Sequence, residues 1–369
     1  MTNSIYVSRP FLPDFGEMLP LLQDIWDRRV LTNGGPYHQE LEAALSERFD
    51  GRQVSLVANG MLALTVAIDA AGLEGEVITT PYSFVATTHS VKMGQLTPVF
   101  VDIKPDDLNI DPTRIEAAIT PRTCAIVAVH CYGNPCNVDM IEDIAKRHNL
   151  AVIYDAAHAF GVRFNGRSVL SFGDYATLSF HATKVFNTFE GGAIVTGTSE
   201  NKAHIDTLKN FGITSESSIP EVGGNAKMSE FNAALGTLQL KHFDNVVRQR
   251  GIIDKRYREA LADVPGIQCL PIPVGVEPNF SYFPILVTEE YGESRDQLYN
   301  RMKEDSIYTR RYFFPLLSGL PMYRDLPSAA AENLPVAIRA AEQVLCLPIY
   351  PDLSTEDQDR IIEPIRRRI

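Results

Sequence analysis

Seven short, apolar, β-rich runs, mostly separated by helical stretches, occupy residues 54–197, and few folds satisfy that alternation. The runs are "VSLV" (54–57), "EVITT" (76–80), "TPVFVD" (97–102), "CAIVAVH" (124–130), "AVIYD" (151–155), "YATLSF" (175–180) and "AIVTG" (193–197). Near-continuous apolar composition marks strands buried on both faces, and helical crossovers such as "LALTVAIDAAG" and "VDMIEDIAKRHN" set successive strands parallel. The pattern predicts an α/β domain: a mostly parallel seven-stranded sheet with helices on both faces. The last two runs are joined without a helix, so the edge of the sheet is expected to be mixed.

A long helical stretch over residues 229–262 leads out of this region. It is followed by "YFPILV" (282–287), a helix near 294–305, "YTRRYFFPLL" (308–317) and helices near 332–344 and 354–368. At 369 residues the chain is long for one compact domain. The expected division is a large domain over 1–245, N-terminal segment included, and a smaller α+β domain over 246–369.

A net charge of −12 argues against nucleic acid or a membrane surface as partner. The basic run Arg366–Arg368 closes the last helix, where it complements the helix dipole. No apolar run approaches the roughly 20 residues of a membrane helix, and "MTNSIYVSRPFLPDFG" lacks the order of a signal peptide. Five scattered cysteines suit reduced thiols. A cytoplasmic protein is expected.

Ligands of open α/β sheets bind outside the carboxyl ends of the strands, so the polar residues there are the candidates. "VANGMLAL" is a strand, a glycine turn and a helix start. The amides of Gly60 and Met61 can face an anion, though a plain turn reads the same way. Neither Gly-x-Gly-x-x-Gly nor the Walker pattern is present. Asp155 ends a buried strand with His158 three residues on. A carboxylate there either caps the next turn or pairs with a cation such as a protonated heterocyclic nitrogen. Lys184, 29 residues after Asp155, lies in the connection "SFHATKVFNTFEGGA". It is either a solvated loop charge or an amine whose burial lowers its pKa toward nucleophilic use. His130, Cys131, Cys136, His158 and His181 lack metal-ligand spacing, and no metal is expected.

Taken together, these stretches resemble the DegT/DnrJ/EryC1/StrS sugar aminotransferases, pyridoxal-phosphate enzymes of fold type I. The resemblance runs through "LTNGGPYHQELE" (31–42), "TTPYSFVATTHSV" (79–91), "YGNPCNVDMIEDIAKRHNLAVIYDAAHAFG" (132–161), "SFHATKVFNTFEGGA" (179–193) and "GGNAKMSEFNAALGTLQL" (223–240), in family order. It implies that Lys184 forms the Schiff base with pyridoxal 5'-phosphate and moves the proton in turnover. It further implies that Asp155 keeps the pyridine nitrogen protonated, that His158 bonds the ring hydroxyl and that Phe84 stacks on the ring. The phosphate would lie at Gly60–Met61 and receive the Ser179 hydroxyl. Relatives usually carry Thr or Ser where Met61 stands, which removes one contact. Asn225 matches the residue that reaches the phosphate of the neighbouring subunit, implying a homodimer with shared active sites.

"SFHATKVFNTFEGGA" and "YTRRYFFPLL" look closest to enzymes that aminate dTDP-linked keto-6-deoxyhexoses. The resemblance thus implies amino transfer from L-glutamate to dTDP-4-keto-6-deoxyglucose, with C3 amination of a 3-keto isomer as the alternative. An O-antigen or related glycan pathway follows from the family alone. Arg9, Arg310, Arg311 and Tyr312 are candidates for holding the nucleotide diphosphate, with surface ion pairing as the competing explanation for each arginine. A non-catalytic sensor on the same fold would be marked by loss of Lys184 or Asp155, and the family's dehydratases by histidine in place of the lysine. Both residues are present. His181 is left open between cofactor contact and packing.

Overall fold

The structure, a computed structural model, describes residues 4–367. Its centre is a seven-stranded sheet built, in chain order, from β1 (Gln53–Val57), β2 (Glu76–Thr79), β3 (Thr97–Phe100), β4 (Thr123–Val129), β5 (Ala151–Asp155), β6 (Tyr175–Ser179) and β7 (Gly192–Thr196). The spatial order is β1-β7-β6-β5-β4-β2-β3. Every neighbouring pair is parallel except the two made by β7, which runs antiparallel to both β1 and β6. The edge of the sheet is therefore mixed, as expected, with the reversed strand second from the rim and antiparallel to the edge strand β1. β7 returns from β6 through the connection 180–191 and pairs with the inner edge of the terminal strand β1.

Period-two alternation explains why two helical layers form. Val54, Leu56, Ile126, Ala128, Val152, Tyr154, Ala176 and Leu178 point into one core, which continues into the helices Phe15–Arg28, Pro36–Arg48 and Glu230–Leu261. The residues between them, among them Val77, Ala125, Val127, Ile153 and Ile194, point into a second core beneath Gly60–Ala70. A strand apolar on both faces is stable only with both faces covered.

The helix Glu230–Leu261 runs from the first core into a third, where Ile253, Tyr257 and Leu261 meet Phe283, Ile285, Leu298, Leu345 and Ile361. The strands Ile267–Cys269, Phe283–Val287 and Val344–Leu347 form its antiparallel sheet. Ile5 belongs to this core as well, because Ile5–Tyr6 pairs in parallel with Ile307–Tyr308. Within the N-terminal segment, Ile5–Tyr6 is thus tied to the C-terminal part, while the helix Phe15–Arg28 packs into the first core. At the other end Arg366 pairs with Asp263 and Arg367 with Glu363; Arg368 lies outside the described residues.

Candidate active site

The carboxyl ends of β1, β4, β5 and β6 and the turn after β2 open on one cavity of about 360 Å³. Gly60, Met61, Phe84, Asp155, His158, Ser179, Lys184 and Tyr312 all line it, joined by Tyr282 and Phe313 from the C-terminal part.

Asp155 closes β5 and is buried. One carboxylate oxygen accepts from the Thr87 hydroxyl at 2.7 Å and the other from the Ala157 amide at 3.1 Å. Thr87 is in turn bonded to Ser83 at 2.8 Å. Burial raises the Asp155 pKa; the Thr87 and Ala157 bonds and the Lys184 charge oppose that. A carboxylate has about four acceptor positions. Asp155 therefore keeps capacity for one more donor, and a cationic N–H would relieve its desolvation best.

His158 follows in the same turn. Its Nδ1 accepts from the Tyr132 amide at 3.2 Å, so the neutral ring carries its proton on Nε2. Burial, aided by the Lys184 charge, holds the imidazole well below its ordinary pKa, and the ring stacks on Phe313 at 5.8 Å. His158 is thus a neutral hydrogen-bond donor at the cavity wall.

Lys184 rides on the connection between β6 and β7, which closes on itself through Phe180 N to Gly191 O at 2.8 Å and Thr188 N to Phe180 O at 2.9 Å. The residue as a whole is half-buried, with its amine end enclosed. Burial brings the amine down to about 8, with the Asp155 charge pulling the other way. At that value a usable fraction of neutral amine exists near neutral pH. The place of Lys184 in the cavity wall favours the amine reading over a solvated loop charge.

The helix Gly60–Ala70 starts at the cavity, its N-cap Asn59 accepting from Leu62 N at 2.9 Å. With Leu62 N taken by that cap, the Gly60 and Met61 amides remain for an anion, and the dipole favours one. A Cβ on Gly60 would stand 2.7 Å from the Ser179 Cβ, so only glycine brings the helix start this close to β6. Phe84, at the N-cap of the next helix, is 60% exposed although it lines the cavity, an uncovered aromatic face beside the anion site.

Other expected residues lie elsewhere. Asn225 is exposed and outside the cavity of its own chain, bridged to Asn210. Arg9, Arg310 and Arg311 do not line the cavity. Arg311 pairs with Asp296 at 2.9 Å and lies over the rings of Tyr299 and Phe314, the competing ion-pair arrangement. Arg310 lies close enough to Tyr312, which lines the site, for its charge to oppose the burial that raises the Tyr312 pKa. His181 Nδ1 is engaged by Thr183, and its Nε2 lies 3.7 Å from Glu190. His130 is wholly buried against Tyr154, which depresses it to about 3. Among the described residues no three His, Cys, Asp or Glu side chains are grouped to hold a metal ion.

The DegT/DnrJ/EryC1/StrS aminotransferase family profile matches residues 16–366. The chain belongs to that family. A dTDP-4-amino-4,6-dideoxy-D-glucose transaminase of Escherichia coli is 50% identical over 355 residues, 96% of each chain. One of the same name from Shigella dysenteriae is 51% identical over 367 residues, 99% of each. The crystal structure of DesI with its TDP-sugar product superposes with a TM-score of 0.95 at 38% identity, covering 99% of this chain and 93% of that one. The enzymes of this family are pyridoxal-phosphate-dependent aminotransferases, and this chain is one. Its site fits that cofactor on its own terms: an under-supplied buried carboxylate, a neutral histidine donor, an enclosed amine, an uncovered aromatic face and a helix start kept open by Gly60.

Proposed function

We propose that this aminotransferase moves the amino group of L-glutamate to C4 of dTDP-4-keto-6-deoxyglucose, giving dTDP-4-amino-4,6-dideoxyglucose. The carrying observation is the near-full-length 50% identity to the Escherichia coli transaminase of that product, supported by Asp155, His158, Ser179 and Lys184 lining one cavity. When bound, pyridoxal phosphate supplies an electron sink for the carbon bearing the transferred nitrogen. Asp155 would hold the ring-nitrogen proton, Nε2 of His158 would donate to the ring hydroxyl, and Phe84 would cover a ring face. The Gly60 and Met61 amides with the Ser179 hydroxyl would take the phosphate. Lys184 removes the proton from Cα of glutamate in the first half-reaction and delivers one to C4 of the sugar in the second. A base near pKa 8 suits both directions, since it is neither fully charged nor fully neutral near pH 7.

The test is purified protein with pyridoxal phosphate, L-glutamate and dTDP-4-keto-6-deoxyglucose, with the product read by NMR. An amine at C4 is expected. Glutamate that bleaches the bound cofactor while the sugar stays intact would move the assignment to a 3-keto sugar. Absence of bound-cofactor colour would overturn the class of chemistry.

The active unit we propose is a homodimer with shared sites. Support comes from Asn225, exposed and away from its own cavity, and from exposed Phe84, Phe189 and Phe231. Sedimentation is expected to give twice the chain mass. Asn225→Ala is expected to weaken cofactor binding roughly tenfold with the dimer intact, the scale of one lost hydrogen bond to a charged group. Unchanged affinity would remove Asn225 from the phosphate site. Met61→Thr works in the opposite sense: a hydroxyl at the helix start is expected to tighten the cofactor several-fold, about 1 kcal/mol, by equilibrium titration of the apoprotein. A cytoplasmic setting accords with the free cysteines and with the finding that no described helix is long and apolar enough to cross a membrane.

A further inference from the structure

Arg250 is a buried cation that the chemistry above does not use. It is 3% exposed, and its Nη1 donates to the carbonyls of Phe280 at 3.1 Å and Ser281 at 3.3 Å, while its Nε has no partner. Burial takes the guanidinium down to about 10, with the nearby Tyr282 phenol opposing the shift. A buried charge normally sits against a carboxylate. This one is spent on the two carbonyls that precede Tyr282.

The same segment is fastened from the other side. Asn279 donates to the carbonyls of His158 at 2.8 Å and Phe160 at 2.9 Å and accepts from the Ser281 amide at 3.0 Å. The Ser281 hydroxyl donates to the His158 carbonyl at 2.8 Å. The Tyr282 ring is then enclosed by His158 at 4.8 Å and by Tyr132 and Tyr312, each at 5.7 Å. Its hydroxyl lies 3.5 Å from Lys184 Nζ, a long contact of the kind that tightens when a ligand closes a site.

We propose that Tyr282, set in place by Arg250, is the positioning residue for Lys184: its hydroxyl holds the amine at the cavity whenever that amine is not bonded to the cofactor. This rests on Lys184 being the catalytic amine. In each half-reaction the amine spends time free of the cofactor, gains or loses a proton and must stay beside the reacting carbon. A phenol serves both protonation states, accepting from the ammonium and donating to the neutral amine. Burial keeps Tyr282 far above its ordinary pKa, so it remains a phenol throughout. A carboxylate at that place would pin the lysine as ammonium, and an apolar residue would leave it without a partner. The other groups that face the amine are Asp155 and His158 after β5, His181 and Glu190 on its own loop, and Tyr312.

The test compares wild type, Tyr282→Phe and Lys184→Ala. Tyr282→Phe keeps the ring and its packing. Two readouts are needed: steady-state kinetics on the holoenzyme, and the pH profile of the rate at which apoprotein takes up added pyridoxal phosphate covalently. For Tyr282→Phe, kcat is expected to fall about 10- to 100-fold with KM for both substrates within about twofold, as for a misplaced reacting group. The uptake profile is expected to move to lower pH, because the ammonium has lost its acceptor. Wild-type kcat with an unmoved profile would overturn the proposal, as would a raised KM at unchanged kcat, which would make Tyr282 a substrate contact. Arg250→Met is expected to reproduce the kcat loss if it folds by circular dichroism, but the conclusion rests on Tyr282→Phe. Failure of the underlying reading is separately visible: Lys184→Ala would then turn over normally.

Discussion

Lys184→Ala is expected to lower turnover roughly ten-thousand-fold, the upper range for loss of a positioned acid–base group, while the cavity still takes up pyridoxal phosphate non-covalently. Asp155, His158, Phe84 and the helix start at Gly60 are untouched by the substitution and line the cavity independently of the amine. Product formation checked by NMR, beside the absorbance of protein-bound cofactor after dialysis, separates the two effects. Loss of cofactor together with activity would mean that Lys184 chiefly binds, and retained activity would remove it from the chemistry. A pH signature accompanies the loss. The folded-state pKa of about 8 lies below the usual 10.5. Between those values the unfolded chain holds a proton that the folded apoprotein has released, so stability from this group rises with pH across the window. The alanine variant is expected to lose that slope in denaturant titrations from pH 7.5 to 10.5.

Asp155→Asn is expected to reduce turnover by roughly a thousandfold, the scale of removing one preorganised electrostatic partner of the reacting system. An amide cannot hold the ring nitrogen as a cation. The apoprotein behaves oppositely. Burial raises the Asp155 pKa, so in the folded state the acid holds its proton to higher pH than it does unfolded. That contribution is full below the unfolded value and is lost as pH rises through the folded one, which leaves the empty site destabilised by its own charge at neutral pH. Asp155→Asn apoprotein is therefore expected to melt at or above the wild-type temperature at pH 7, whereas holoenzyme of the variant loses the stabilisation that cofactor gives wild type. A lower apoprotein melting temperature would show that the carboxylate is satisfied by Thr87 and Ala157 alone.

The parts of this molecule that could be read before the structure are those carried by local pattern. β5 was legible residue for residue as "AVIYD", because a strand buried on both faces is apolar throughout and stops where a carboxylate appears. Local pattern put Asp155 at a strand end and Lys184 between two interior strands, but left each open between two readings, and the roles came only with the family resemblance. Thr87 was not legible: a threonine three residues into a helix looks like any other, and only the fold brings it 2.7 Å from Asp155. Tyr282 lies 98 residues from Lys184 and comes to it by packing across the two parts of the chain. The antiparallel placement of β7 between β1 and β6 was also hidden, since strand order depends on pairing between segments that no local spacing encodes. For Arg311 the sequence offered both phosphate binding and surface ion pairing, and only the fold shows its partner, Asp296.

The pairing of Ile5–Tyr6 with Ile307–Tyr308 bears on how this chain is made. A ribosome emits the first strand about 300 residues before its partner, which at 5–20 residues per second is on the order of 15–60 s. Throughout that wait the α/β sheet can assemble, but the nascent leader has nothing to zip against, and Ile5 stays outside any core. The last third of the polypeptide must then reach back and capture the earliest-made segment. Vectorial synthesis therefore leaves these two segments to be joined late, and a change that obstructs Ile5–Tyr6 is expected to strike the C-terminal part while the cofactor-binding sheet forms normally.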